Sequence, residues 1–206
     1  MNLFGNLLRE ILYNPCRHIK SLPFVSVGRD TIILPSARFT FRLGAKNFQG
    51  KITIGDNSMI GGEFIFESNN GEVSVGDGTF INSGTRIICR ENIKIGSNVT
   101  IAWNCILYDH NSHSLSWTER KVDLRQQIAD FNAGKNFIHG KNWATVKSRP
   151  IVIGDKAWLG FGVTVLNGVH IGEGAIIGAS SVVRADAPAW TIAYGNPATP
   201  QKAINK

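Results

Sequence analysis

Late in the chain, aliphatic residues fall at every sixth position: Ile153, Leu159, Val165, Ile171, Ile177 and Val183. A second set of small or β-branched residues follows each of the first five by four positions: Ala157, Val163, Val169, Ala175 and Ser181. Neither the 3.6-residue period of an amphipathic helix nor the simple alternation of an open sheet produces this spacing. A chain that turns a corner after each short strand does, so the pattern predicts a parallel β-helix of triangular section. Each aliphatic side chain then points to the axis and stacks on its equivalent one coil away, three hexapeptides along. Burying one such side chain contributes roughly 1.5–3 kcal/mol, an upper estimate because the unfolded chain hides some of the same surface. Gly162, Gly168 and Gly174 fall at the expected corners, where a positive φ is open to glycine without strain.

The repeat extends upstream with irregularities. Val27, Ile33 and Phe39 keep the step of six, and Arg42 to Lys51 reads as a loop. The triples Ile54, Ile60, Phe66, then Val75, Ile81, Ile87, then Ile95, Ile101, Leu107 follow, with a few extra residues between them at corner loops. Six positions beyond Leu107 the series meets His113 in place of an aliphatic residue, and there it stops. Residues 114–149 are polar and aperiodic, with a short helix expected over Val122 to Phe131, and the pattern resumes at Pro150-Ile151-Val152-Ile153. A long insertion that leaves a rigid scaffold and returns to it is a usual place for function.

The ends differ from the middle. In residues 1–22, Leu3, Phe4, Leu7, Leu8, Ile11 and Leu12 lie at helical spacing, interrupted by Asn2, Asn6, Arg9 and Glu10. This predicts an amphipathic helix too short and too polar to cross a membrane, without the small-residue cleavage site of a signal peptide. Two uses suit it: a cap on the first coil, or a peripheral contact with a membrane surface through Arg9, Arg17 and Lys20. The solenoid is expected over residues 23–198. Pro188 and Pro197 then break the repeat, Tyr194-Gly195-Asn196-Pro197 reads as a turn, and residues 199–206 form a basic tail.

Composition changes this picture little. Charged residues make up only 18% of the 206 and glycines number 22, which suits closely stacked β structure better than a helical bundle. The formal charge of +7 admits anionic partners and also serves solubility. Cys16, Cys89 and Cys105 show neither a disulfide pattern nor metal-ligand spacing, and fit buried thiols of a reducing compartment.

The runs Ile153-Gly154-Asp155-Lys156-Ala157-Trp158-Leu159-Gly160, Gly168-Val169-His170-Ile171-Gly172-Glu173-Gly174-Ala175-Ile176-Ile177-Gly178-Ala179 and Ala193-Tyr194-Gly195-Asn196-Pro197-Ala198 resemble the hexapeptide-repeat acyltransferases. The resemblance covers roughly Val27 to Ala198. It is nearest the branch of galactoside, maltose, capsule, lipopolysaccharide and xenobiotic acetyltransferases. It implies an all-β, left-handed parallel β-helix, an exception to right-handed crossovers. It also implies a cytoplasmic homotrimer with sites between subunits, acetyl-CoA as co-substrate, no metal, and a small-molecule or glycan acceptor rather than nucleic acid.

Acetyl transfer needs a base for the acceptor proton and donors for the developing oxyanion. Imidazole suits the first task. In Leu107-Tyr108-Asp109-His110-Asn111-Ser112-His113 both histidines are candidates. The family's Asp or Asn four residues before the base matches Asp109 and His113, and repeat arithmetic places His113 in a core slot at the scaffold's edge. Asp109 is expected to orient a histidine or the acceptor. The resemblance also places the pantetheine arm against Gly160, Phe161 and Ala179, and the nucleotide phosphates near Arg184 and Lys202. Ala185 and Thr199 stand where relatives often carry a basic residue, which weakens the phosphate assignment. Trp158 is expected to pack at the coil's opening. Sugar O-acetylation in cell-surface polysaccharide synthesis is the leading expectation. A xenobiotic acceptor, with Trp117 and Trp143 lining an apolar pocket, is the alternative, and a non-catalytic solenoid the third. A carbonic-anhydrase-like solenoid needs three zinc histidines, and the five here are not spaced for it.

Overall fold

The computed structural model describes residues 14–205. Most of the predicted amphipathic helix lies outside the described residues. The part inside them forms α1 (Pro15–Lys20), whose first turn is capped by the Asn14 side chain accepting from the Arg17 amide at 2.9 Å. Ile19 is fully buried against the first coil, so this portion caps the solenoid.

Three sheets form the faces of a left-handed parallel β-helix. The first stacks β1 (Val25–Val27), β4 (Lys51–Ile54), β7 (Glu72–Val75), β10 (Asn92–Ile95), β13 (Ile151–Ile153) and β16 (His170–Ile171). The second stacks β2 (Ile32–Ile33), β5 (Met59–Ile60), β8 (Phe80–Ile81), β11 (Thr100–Ile101), β14 (Trp158–Leu159), β17 (Ile176–Ile177) and β19 (Thr191–Gly195). The third stacks β3 (Arg38–Phe41), β6 (Glu63–Phe66), β9 (Arg86–Cys89), β12 (Ile106–Tyr108), β15 (Thr164–Leu166) and β18 (Val182–Val183). Successive coils are in register, so that Ile33, Ile60, Ile81, Ile101, Leu159, Ile177 and Ala193 form one axial column.

Two expected register details differ. The third-sheet partner of Phe39 and Ile87 is Phe64, not Phe66, because Gly61-Gly62 make a corner two residues shorter than elsewhere. Gly62 adopts φ +78°, and a Cβ there would lie 2.4 Å from the Thr85 carbonyl, so the tight corner requires glycine. Phe66 is also buried, one strand step on, and joins Phe24, Phe41 and Phe48 in an aromatic plug at the N-terminal end. At the other end the predicted tail is a strand. β20 (Ala198–Ala203) folds back antiparallel on β19 through the Tyr194–Pro197 turn.

The corners hold themselves with side chains. Asp56 accepts from the Arg29 amide, Asp77 from the Asp56 amide, Ser97 from the Asp77 amide and Asp155 from the Ser97 amide, one coil after another. The buried hydroxyl of Thr79 likewise donates to the Gly96 carbonyl and accepts from the Val99 amide. Each satisfies backbone groups that a turning strand cannot pair. Cys89 and Cys105 are buried free thiols whose pKa burial pushes up, and Cys16 is half-buried.

Candidate active site

The insertion begins where the third sheet's fourth strand ends. Asp109, fully buried, turns its carboxylate onto the amides of Arg90 (2.8 and 3.0 Å) and Glu91 (2.7 Å) in the preceding coil. This corrects the expectation that Asp109 orients a histidine or the acceptor, since its oxygens are engaged by backbone. Burial pushes its carboxyl above the ordinary range, against those two amides, which pull it down. The chain then leaves the coil: His110 bridges antiparallel to Ser148, the Asn111 amide donates to the Lys147 carbonyl, and Arg149 returns to the Asp109 carbonyl.

His110 is buried, with its ring edge-on to Tyr108 and Trp143. Its Nδ1 accepts the Ser112 amide at 3.1 Å, which leaves the proton of a neutral ring on Nε2. Nε2 lies 3.2 Å from Glu67 Oε2 without the alignment of a hydrogen bond, so the pair is a close electrostatic contact and not a directed bond. In this tautomer His110 has no free lone pair for an acceptor's proton.

His113 is placed differently from the core slot that repeat arithmetic assigns it. The coil register ends at Tyr108, and the side chain of His113 is 42% exposed. What holds its ring is the insertion. After α2 (Trp117–Arg120) comes α3 (Asp123–Asn132), close to the predicted helix, and Asp123 in its first turn sets Oδ2 2.5 Å from His113 Nδ1. Burial pushes the Asp123 carboxyl up, but hydrogen bonds from Lys141 and His113 outweigh it and hold the group below the usual carboxylate range. An ionised carboxylate only accepts, so Nδ1 carries the proton and Nε2 presents its lone pair. Among the described residues no side chain bonds to that Nε2. The insertion is braced internally by Asp130, which accepts the Gly140 amide at 2.7 Å.

A second feature lies on another face. Phe80, Thr100, Ala102, Trp103, Trp158, Gly160, Phe161 and Ala179 line an apolar groove of about 500 Å³ on the second sheet. Gly160 and Ala179 meet because their coils touch there, and a Cβ on Gly160 would lie 2.7 Å from the Ala179 amide nitrogen. The three expected arm-binding residues, Gly160, Phe161 and Ala179, thus share one groove. Trp158 departs from expectation: it is half exposed and forms part of the wall. Arg184 and Lys202 are exposed and stand outside the lining. Trp117 and Trp143 are not among the residues lining the groove. Trp117 is exposed, while the Trp143 ring lies under the Arg90 guanidinium, 4.1 Å from its centroid, and beside His110.

Sequence reasoning missed Asp123 and Lys141, which no repeat constrains. It also missed Phe80, Ala102 and Trp103, for which a signal existed: the residues one before, one after and two after each second-sheet core position recur coil by coil, and stacking Phe80, Thr100 and Trp158, then Ala102 and Gly160, then Trp103, Phe161 and Ala179 traces the groove.

The insertion that carries His113 leaves the coil at the end of the third sheet remote from the groove. The groove runs along the second sheet, whose strands feed the third, whereas His113 follows β12, where the chain has already crossed it.

Comparison with known proteins agrees with this architecture. Residues 150–185 match the family described as bacterial transferase hexapeptide (six repeats). The putative lipopolysaccharide biosynthesis O-acetyl transferase WbbJ of Escherichia coli is 32% identical over 157 residues, covering 76% of this chain and 74% of its own. The galactoside O-acetyltransferase of Lactococcus lactis is 30% identical over 152 residues, 74% of this chain and 63% of its length. A hexapeptide-repeat acetyltransferase of Vibrio cholerae, solved with acetyl coenzyme A, shares the fold with TM-score 0.59 at 22% identity, covering 98% of this chain and 85% of that one.

Proposed function

Because the chain belongs to the hexapeptide-repeat acyltransferase family, we propose that it is an acetyl-CoA-dependent O-acetyltransferase. Its acceptor in this reading is a sugar hydroxyl, in cell-surface polysaccharide or lipopolysaccharide synthesis. The observation that carries this reading is the Asp123-held imidazole of His113, open at Nε2 at the mouth of the insertion. A non-catalytic solenoid has no use for a carboxylate-oriented imidazole facing outward.

His113 Nε2 takes the proton of the acceptor hydroxyl as that oxygen bonds to the acyl carbon, and the proton passes to the departing sulfur. Asp123 keeps the ring in the required tautomer and offsets the charge of the imidazolium, the role of the third member of a catalytic triad. The apolar groove suits an extended pantetheine arm, whose methylenes and methyls find Trp103, Trp158 and Phe161 while small residues leave backbone accessible.

The insertion leaves the third sheet at the end remote from the groove, which favours a site shared between subunits over one within a single chain. A threefold assembly, in which His113 of one subunit meets the groove of the next, provides such a site and supports the homotrimer. The sugar acceptor is supported by the activities of the two curated relatives. No helix among the described residues is long and apolar enough to cross a membrane. Thiol release from acetyl-CoA across a panel of monosaccharides, oligosaccharides and antibiotics tests the proposal. Sugar-dependent release supports it, a response confined to antibiotics moves the acceptor, and a flat response overturns it.

A further inference from the structure

Lys141 carries no role in the reading above, yet its surroundings are unusual for a lysine. Its side chain is only 4% exposed, and such burial is rare unless the ammonium is paired. Its Nζ donates to Asp123 Oδ2 at 2.9 Å and lies 3.3 Å from His113 Nδ1. The same oxygen of Asp123 therefore receives both the lysine and the imidazole. Nδ1 uses its proton on the carboxylate, so the ammonium makes no second hydrogen bond to the ring; its directed contact is with Asp123. Lys141 also lies 5.3 Å from the centroid of Trp143, whose ring is covered by Arg90 from the coil and abuts His110.

We infer that Lys141 is a positioning residue for the acyl-transfer site: it locks the Asp123 carboxylate onto His113 and ties that pair to the solenoid through Trp143. The inference rests on His113 being the base. The three side chains come from three points of the insertion: its start, the head of α3 and the returning arm. A carboxylate at a helix terminus has rotational freedom that one imidazole contact does not remove. A second, buried charge-assisted hydrogen bond fixes it. The ring then sits in the productive tautomer only when the returning arm is docked on the coil, so docking of the insertion and competence of the base are one event. A displacement of about 1 Å in a catalytic group lowers rate up to about 100-fold.

The test compares Lys141→Met, Lys141→Arg, Asp123→Asn and the Asp123→Asn/Lys141→Met double variant in the full-length protein. Lys141→Met is expected to lower kcat about ten- to hundredfold with KM for acetyl-CoA unchanged, and Lys141→Arg to restore much of it. The double variant should be no slower than Asp123→Asn alone, because the lysine acts through the carboxylate. Additive losses, or an unchanged kcat in Lys141→Met, overturn the inference. Nitrogen-15 NMR of labelled histidine supplies a readout independent of turnover: His113 should be the Nδ1–H tautomer in the wild type and a mixture in Lys141→Met. An unaltered tautomer in the variant also overturns it. Should Lys141→Met fail to fold, Lys141→Gln carries the same comparison. Retained activity in His113→Ala refutes the base assignment itself, whereas loss there with a normal Lys141→Met refutes only the role of the lysine.

Discussion

Asp123 and His113 stand ten residues apart in the chain, and the carboxylate oxygen of one lies 2.5 Å from Nδ1 of the other. The contact joins the head of a helix to the first residues of an aperiodic insertion, and it orients a ring that would otherwise turn freely. Replacing the ring should therefore be costly to chemistry and cheap to the fold. His113→Ala is expected to lower kcat by roughly 10²–10⁴, the usual contribution of a general base. Its melting temperature and its affinity for coenzyme A should stay at wild-type values. His110→Ala should instead lower the melting temperature, since that ring is packed between Tyr108 and Trp143.

The pH dependence of stability follows from the direction of the Asp123 shift. Its folded-state pKa is depressed, so its contribution is present above the carboxylate's unfolded value and is lost as pH falls through the lower, folded one. The stability difference between wild type and Asp123→Asn, read from urea unfolding at a series of pH values, should be constant near neutrality. It should close only in acid, below the ordinary carboxylate range. A gap already closing near pH 6 would show that the ion-paired cluster does not hold the insertion.

Asp109 makes a structural prediction. Its carboxylate satisfies two backbone amides at the edge of the third sheet, and Asp109→Ala leaves both without that partner. A total loss of about 1–3 kcal/mol is expected, measured by chemical denaturation, since two part-buried amides lose a charged acceptor. Activity per folded molecule should fall far less than in His113→Ala. A variant as stable as wild type but inactive would return Asp109 to the chemistry.

Filling the groove should act on donor binding. Ala179→Trp places a large ring between the walls formed by Trp103 and Trp158, and should raise KM for acetyl-CoA at least about tenfold while changing kcat little. Steady-state kinetics with the acceptor saturating reads this directly.

The same two variants test where the site is assembled. If the proposed trimer assembles at random from His113→Ala and Ala179→Trp chains, an interface that takes its base from one subunit and its groove from the next is intact in about a quarter of cases. Assayed at acetyl-CoA well below the KM of Ala179→Trp, where both parents are impaired, an equal mixture refolded together should therefore recover roughly that fraction of wild-type activity. No recovery would place base and groove in the same subunit.

What the sequence by itself determined is the solenoid. A step of six with glycine at the corners leaves no other way to bury Ile153, Leu159, Val165, Ile171, Ile177 and Val183 together, and each coil restates the constraint of the last. Gly160 and Ala179 were legible from the resemblance to the family, and the coil register accounts for their meeting, since Leu159 stacks on Ile177 and so sets Gly160 beside Gly178-Ala179. Repetition also misled at two places: it put Phe66 in the column that Phe64 occupies, because a two-residue deletion at Gly61-Gly62 leaves the periodic pattern intact on either side. It also put His113 into the core, because counting cannot see the chain leave the coil. Only the tertiary structure decided that the Asp109 carboxylate ends the strand on backbone amides, and that Asp123 and Lys141 converge on His113. An insertion without a repeat has its contacts set by packing across 18 or 28 residues of chain, and no local pattern of residue types encodes such a meeting.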